Sequence, residues 1–188
     1  MDKDRRFAVL IDADNVSAKY IRLILDELSN DGIITYKRIY GDWTSPTLVS
    51  WKNVLLDCSI TPIQQYGYTT GKNATDSAMI IDAMDILYTG NVEGFCIVSS
   101  DSDFTRLASR LREAGKFVIG MGEKKTPAPF VAACNRFTYL EVLAQQPAAE
   151  VVPAAPLDPV AGEDRMALPA IKAAKQAIAD ETSDDEGW

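Results

Sequence analysis

Four aspartates stand beside apolar segments, in positions from which their carboxylates could act together. Asp12 comes directly after the apolar run FAVLI, and Asp101 comes directly after FCIVSS. Asp103 lies two residues further on, and Asp76 begins a long apolar segment. Carboxylates gathered at one place bind divalent ions such as Mg²⁺ or Mn²⁺, which can activate water and stabilise the charge of a reacting phosphate ester. These residue types therefore indicate metal-dependent phosphate-ester chemistry.

The composition excludes several other kinds of site. The chain has no histidine, so histidine cannot serve as a general base or a metal ligand. Its three cysteines, Cys58, Cys96 and Cys134, lie far apart in or beside apolar segments, which predicts neither a disulfide framework nor a zinc site. The chemistry must therefore come from carboxylates, lysines, hydroxyls or the backbone.

Charge and hydropathy bear on partners and location. No stretch approaches the roughly 18 apolar residues of a membrane span, and the N-terminus lacks the apolar core of a secretory signal. We therefore expect a cytoplasmic protein that makes no membrane contact. The net charge of −8 argues against a nucleic-acid partner, but most of the negative excess lies beyond residue 145. The remaining chain is compatible with a polyanionic substrate.

Strand-like and helix-like segments alternate along the first 144 residues. Continuous apolar runs are typical of strands buried on both faces, and spacings of three and four residues indicate helices between them. This alternation predicts an α/β fold, a three-layer sandwich around a mainly parallel sheet. The strands are expected near 7–11, 33–40, 59–66, 94–100 and 116–121, and a short helix near 127–133 and a small strand near 137–142 would follow.

The predicted topology brings the acids to one edge of the sheet. Ligands of such sheets bind outside the carboxyl ends of the strands, where Asp12 and Asp101 lie. Asp103 opens the next helix at the same edge. Asp76 heads a helical stripe formed by Ile80, Ala83 and Leu87, and an inward-facing aspartate costs several kcal/mol unless it is paired or metal-bound. Asp82 and Asp85, on the other side of that helix, are expected to be solvated.

Structural roles compete with functional ones at several of these positions. Asp101 could cap the helix that follows it, and Asp103 could favour the N-terminal dipole of that helix. Asp14 could serve only in a turn or a cap. Asn15 could hold the loop of Asp12 in place or contact a phosphate. A cation remains the best explanation for Asp12, because Asp12 and Asp101 would otherwise repel each other strongly.

Other residues at the same edge could contact a polyanion. Trp43 follows the second strand and could stack on a base, although a packing role is an equal alternative. Lys72 and Asn73 lie in a loop rich in Gly and Thr before Asp76, and Lys124 and Lys125 follow the last main strand. Together with Asn15, these residues are our candidates for substrate binding.

The segments FAVLIDADNVS, YGDW, GKNATDSAMIIDAMDILY and CIVSSDSDFTRLASRLREAGKFVIGMG, taken in this order, resemble the NYN domain of LabA and limkain-type proteins. That family is a branch of the PIN-like nucleases, and the resemblance covers about residues 5–143. It implies a PIN-like α/β/α fold, for which we expect the strand order 3-2-1-4-5. It also implies metal-dependent RNA cleavage that leaves 5′-phosphate and 3′-hydroxyl ends. The acids of the family match Asp12, Asp76, Asp101 and Asp103, and its asparagine matches Asn15.

The resemblance and the composition together predict the domain organisation. Residues 1–144 form the NYN domain, residues 145–165 a linker rich in Pro and Ala, and residues 166–188 an acidic tail. The tail is similar to the opening of an OST-HTH (LOTUS) domain, which implies a longer protein and a further partner bound through that domain. RNA is the expected main partner, and a homodimer is left open.

From these residues we hypothesise that Asp12, Asp76 and Asp101 bind one or two Mg²⁺ or Mn²⁺ ions, while Asp103 positions or deprotonates the attacking water. Two other function classes compete. One is an RNA-binding module without useful turnover. The other is a haloacid-dehalogenase-like phosphatase with Asp12 as nucleophile, a pattern that has no place for Asp76 on a helix.

Overall fold

Neighbouring strands of the central sheet all run parallel in the computed structural model, which describes residues 4–66 and 74–145. In the described ranges the strands are β1 (Arg6–Asp12), β2 (Ile33–Gly41), β3 (Thr61–Gln64), β4 (Gly94–Val98), β5 (Phe117–Gly122) and β6 (Arg136–Tyr139). Their order in the sheet is β3-β2-β1-β4-β5-β6. This confirms the predicted fold class and strand order, and the small last strand adds β6 beyond β5.

Helices cover both faces of the sheet and give the predicted three layers. They are α1 (Ile21–Ser29), α2 (Lys52–Asp57), α3 (Ala74–Thr89), α4 (Thr105–Glu113), α5 (Ala128–Ala133) and α6 (Leu140–Leu143). Short 3-10 helices at Ala18–Tyr20, Pro46–Trp51 and Ser102–Phe104 precede α1, α2 and α4. The helical segment from Pro46 to Asp57 is thus half 3-10 in character, and it starts at Pro46, whose fixed φ suits a first helical turn.

Strand β1 shows why the sequence selects this architecture. Its side chains alternate between the two faces, so Phe7, Val9 and Ile11 join the core under α1, while Ala8 and Leu10 join the core under α3 and α4. All five are at most 1% exposed. A strand buried on both faces must lie in the middle of the sheet, and this position places its last residue, Asp12, at the centre of the carboxyl edge.

Helix α3 carries its apolar stripe against the sheet as predicted, although the stripe is centred slightly differently. Met79, Ala83 and Ile86 are its most buried residues, whereas Ile80 is only half-buried. The expectation that Asp82 is solvated is wrong. Its carboxylate accepts hydrogen bonds from Arg38 and from the hydroxyl of Tyr40, both on β2. This ion pair lies between α3 and the sheet and fixes the helix to β2.

Some of the predictions concern residues outside the described ranges. Lys72, Asn73, most of the proposed linker and the whole acidic tail are among them, so the domain boundaries stay predictions. The described residues all belong to one unit, Met1–Ala148. No helix in the described ranges has both the length and the hydropathy that crossing a membrane requires.

Candidate metal centre at the carboxyl edge of the sheet

Asp12 is held rigidly at the end of β1. Its side chain is 1% exposed, and its Oδ2 accepts hydrogen bonds from Ser99 Oγ at 2.8 Å and from Asn15 Nδ2 at 2.7 Å. The backbone N–H of Asp14 donates to Oδ1 at 3.1 Å. Burial raises the pKa of Asp12, although these three hydrogen bonds oppose the rise. The carboxylate is therefore fixed in orientation but not fully compensated in charge.

Ser99 links Asp12 to the second acidic segment and was missed as a functional residue in the sequence. Its Oγ donates to Asp12 and accepts from the backbone N–H of Asp101 at 3.1 Å. Gly122 at the end of β5 permits the close packing here, because a Cβ at that position would lie 2.5 Å from the carbonyl oxygen of Ser99. The sequence feature that could have identified Ser99 is its hydroxyl, which comes directly after a buried strand and close to Asp101.

Asp101 has the capping role that the sequence allowed. It precedes the 3-10 helix Ser102–Phe104, and its Oδ1 accepts the backbone N–H of Asp103 at 2.9 Å. One oxygen of Asp101 is thus occupied by the cap, while the side chain stays half-buried at the edge of the sheet. Capping and metal binding are compatible, because a carboxylate has two oxygens with about four acceptor positions.

Asp76, in the first turn of α3, lies at the same edge of the sheet. Its side chain is 9% exposed, and no hydrogen-bond donor among the described residues reaches it. One carboxylate oxygen from each of Asp76, Asp101 and Asp103 lies within 4.8 Å of the others. Burial, followed by repulsion from Asp12, Asp101, Asp103 and Asp14, raises the pKa of Asp76 to about 6. The sheet therefore gathers negative charge around a buried carboxylate that has no hydrogen-bond donor in the described ranges.

The donor set fits a hard divalent cation. Mg²⁺ binds oxygens at about 2.0–2.1 Å, so two opposite ligands in an octahedron stand about 4 Å apart. Small side-chain rotations bring oxygens spaced within 4.8 Å to that separation. Three carboxylates also supply the charge that such an ion needs. Asp76, Asp101 and Asp103 can therefore hold a metal ion, whereas Asp12 stands outside this close group and acts on it through its charge.

Asp14 and Asn15 support the site. Asn15 holds Asp12, which is one of its two predicted roles. Asp14 is exposed, and its Oδ2 accepts a hydrogen bond from Thr75 Oγ1 at 3.2 Å. This contact ties the loop after β1 to the residue before Asp76. Whether Asn15 also contacts a substrate stays a prediction.

The other substrate candidates differ in their surroundings. The indole N–H of Trp43 donates to the carbonyl oxygen of Ile63 at 3.0 Å, and the half-buried ring packs against the core under α1. That position favours the packing role. Lys124 and Lys125 are both exposed after β5, and Lys125 Nζ lies 2.9 Å from Glu123 Oε2. Substrate contact by these residues remains a prediction.

Comparison with known proteins identifies a family, a similar curated protein and a solved structure of similar fold. The family model of the NYN domain matches residues 6–141. An uncharacterized protein of Methanocaldococcus jannaschii, MJ0482, is 27% identical over 124 residues, which are 63% of this chain and 48% of that protein. The chain thus spans about half the length of this relative.

The fold is also similar to that of a solved structure, VPA0982 from Vibrio parahaemolyticus, a protein of unknown function. It superimposes with a TM-score of 0.61 at 17% identity, covering 74% of this chain and 94% of that one. At this level of identity the likeness concerns the fold alone.

Proposed function

The chain belongs to the NYN domain family of the PIN-like nuclease superfamily, and on this basis we propose that it is a divalent-metal-dependent ribonuclease that hydrolyses phosphodiester bonds of RNA. The observation that carries the proposal is Asp76. It is a buried carboxylate without a hydrogen-bond donor among the described residues, and it lies with Asp101 and Asp103 within 4.8 Å. A protein that needs only a stable fold gains nothing from such a cluster, because each added negative charge opposes the others.

Asp76, Asp101 and Asp103 are the residues that would hold Mg²⁺ or Mn²⁺. A bound ion of this kind neutralises the charge that develops on a phosphate and lowers the pKa of a bound water. Asp76 would supply a ligand from the buried side of the site, and Asp101 would supply the oxygen that its capping role leaves available. Asp103 is the most exposed of the three, so we assign it the orientation or deprotonation of the attacking water.

Asp12 contributes fixed charge and alignment. Because its oxygens accept hydrogen bonds from Ser99, Asn15 and the backbone of Asp14, it is poorly placed to rotate toward a phosphate as a nucleophile. This disfavours the phosphatase alternative, in which Asp12 would form a phospho-enzyme. Asp12 is better suited to bind the metal ion through water and to preserve the negative potential of the site.

The proposal is tested with labelled single-stranded RNA, Mg²⁺ or Mn²⁺, and the purified chain. We expect cleavage that EDTA abolishes, and a loss of at least 100-fold in kcat for Asp101→Asn, with 5′-phosphate ends on the products. Asp85→Asn is the matched control, because Asp85 is an exposed aspartate of α3 outside the cluster. Tight RNA binding with no product at any concentration of either ion would instead identify a binding module without turnover.

A further inference from the structure

A groove opens beside the metal centre on the α1 face of the sheet. Its walls come from residues 13–18, which follow β1 and include the start of the first 3-10 helix, from the 3-10 helix Pro46–Trp51 and from the loop after β5. Its volume is about 460 Å³, which lies in the range of small-molecule sites. The groove is therefore large enough for a nucleotide and adjoins the residues that hold the acids.

The lining has an apolar floor and a polar rim. Val16, Leu48 and Trp51 form the floor, and each is at most 5% exposed. The rim carries the exposed hydroxyls of three residues, Ser17, Thr47 and Ser50. The exposed surface of the groove is therefore mainly polar, and hydroxyls suit the 2′-OH and ring oxygen of a ribose.

Two residues of the groove contact neighbours of the acid cluster. Asp14 and Asn15 line the groove, Asn15 donates to Asp12, and Asp14 accepts from Thr75, which precedes Asp76. The groove therefore adjoins the acid cluster through these two residues.

Lys125 is the group in the described lining that can pair with an anion, while Asp14 and Glu123 add two carboxylates. Of the described residues that line it, Lys125 is the one cation, and its ammonium is held 2.9 Å from Glu123 Oε2. The side chain of Lys125 is largely exposed, so its ion pair with Glu123 is weak. A phosphate can therefore compete for the ammonium group. Glu123 then keeps the lysine over the groove when no phosphate is present.

No exposed aromatic ring is available in the described lining, because the ring of Trp51 is 1% exposed and belongs to the floor. Base stacking, the usual source of base preference in single-strand binding, is thus missing. We infer that the groove binds the ribose and phosphate of one nucleotide of a single-stranded RNA, next to the bond to be cleaved, with Lys125 on the phosphate and the hydroxyl rim on the ribose. This inference rests on the proposed function.

The test measures binding of a fluorescent single-stranded RNA to the whole chain in EDTA, where metal-dependent cleavage cannot occur. Ser50→Tyr fills the groove and should weaken binding about tenfold. Lys125→Ala should weaken it about fivefold and lower the salt dependence by roughly one phosphate contact, a slope change of about 0.7 for a single strand. Homopolymers of different bases should bind within threefold of one another, and DNA of the same sequence should bind more weakly than RNA.

Two matched controls are available on adjacent positions. Val49 lies beside Ser50 on the same 3-10 helix and Lys52 begins α2, and both are exposed but face the neighbouring groove. Val49→Tyr and Lys52→Ala should leave affinity within twofold. Equal losses in the controls and the groove variants, or unchanged affinity in Ser50→Tyr and Lys125→Ala, would overturn the inference.

The groove assignment and the ribonuclease proposal can fail independently of each other. If the wild-type chain binds RNA through the groove but gives no product with Mg²⁺ or Mn²⁺, the ribonuclease proposal fails and the groove stands. If the chain cleaves RNA with the same KM in wild type and Lys125→Ala, the groove assignment fails and the ribonuclease proposal stands.

Discussion

The carboxylates of Asp76 and Asp101 place oxygens within 4.8 Å of each other, although Asp76 begins a helix and Asp101 follows a central strand. Asp101 is partly compensated by the backbone N–H that it caps, whereas no described donor compensates Asp76. The repulsion between the two carboxylates therefore destabilises the charged form of Asp76 more than that of Asp101. A divalent ion would convert that repulsion into binding energy.

Removing the charge of Asp76 should stabilise the metal-free protein. Asp76→Asn keeps the shape of the side chain but relieves burial of charge and the repulsion from its acidic neighbours. We expect a gain of roughly 1–3 kcal/mol at neutral pH, which is several degrees in Tm for a domain of this size. Thermal unfolding in EDTA measures it. A lower Tm for Asp76→Asn than for wild type would show that Asp76 is structural.

The stability of the metal-free protein should fall as pH rises through the range in which Asp76 titrates. The folded-state pKa is raised from 3.8 to about 6, so the folded protein holds this proton more tightly than the unfolded chain does. The stabilisation from the proton is complete below pH 3.8 and is lost as pH rises through about 6. The difference in free energy of unfolding between wild type and Asp76→Asn, measured in EDTA, should grow over this range and then level off. A difference between wild type and Asp76→Asn that stays constant over this pH range would contradict the assignment of the raised pKa to Asp76.

Ser99→Ala should damage the site more than the fold. The substitution removes the hydrogen bond to Asp12 and the acceptor for the N–H of Asp101, and a lost buried hydrogen bond costs about 1–2 kcal/mol. Cleavage should fall at least tenfold, because the acids lose their common support. Ser109→Ala is the control, since Ser109 donates only to a carbonyl within its own helix. Equal activity in both variants would show that Ser99 does not position the acids.

Asp82→Asn should destabilise the fold by about 1–3 kcal/mol. It breaks the ion pair with Arg38 and weakens the hydrogen bond from Tyr40, and both partners lie partly buried between α3 and β2. Urea unfolding measures the loss. Asp85→Asn on the exposed side of the same helix should stay within about 0.5 kcal/mol of wild type. A similar loss of stability in the two variants would mean that removing any negative charge from α3 has this effect, and that the ion pair with Arg38 does not cause it.

Periodicity and strand-end position were sufficient to predict the parallel sheet and the edge where the acids meet, whereas the strand order was expected from the resemblance to the NYN family. The predictions of the sheet and of its edge rest on local rules. A strand buried on both faces, such as β1, must be central, and the last residue of that strand lies at the carboxyl edge. Asp76 was placed correctly for the same reason, since it heads the stripe of α3.

Cross-chain contacts were not predictable in this way. The pairing of Asp82 with Arg38 joins residues 44 positions apart, and the bond from Ser99 to Asp12 spans 87 positions. Both depend on the register between neighbouring elements, which a single sequence does not specify. The same limit applies to Asp12, whose position outside the close group of carboxylates depends on the direction of its side chain.

Direct titration of Mn²⁺ into the metal-free chain tests the central claim. Calorimetry should show saturable binding to the wild type, affinity reduced at least tenfold in Asp76→Asn and in Asp101→Asn, and affinity unchanged in Asp85→Asn. Binding of equal strength in all four proteins, or no binding to the wild type, would contradict a metal centre built from these carboxylates.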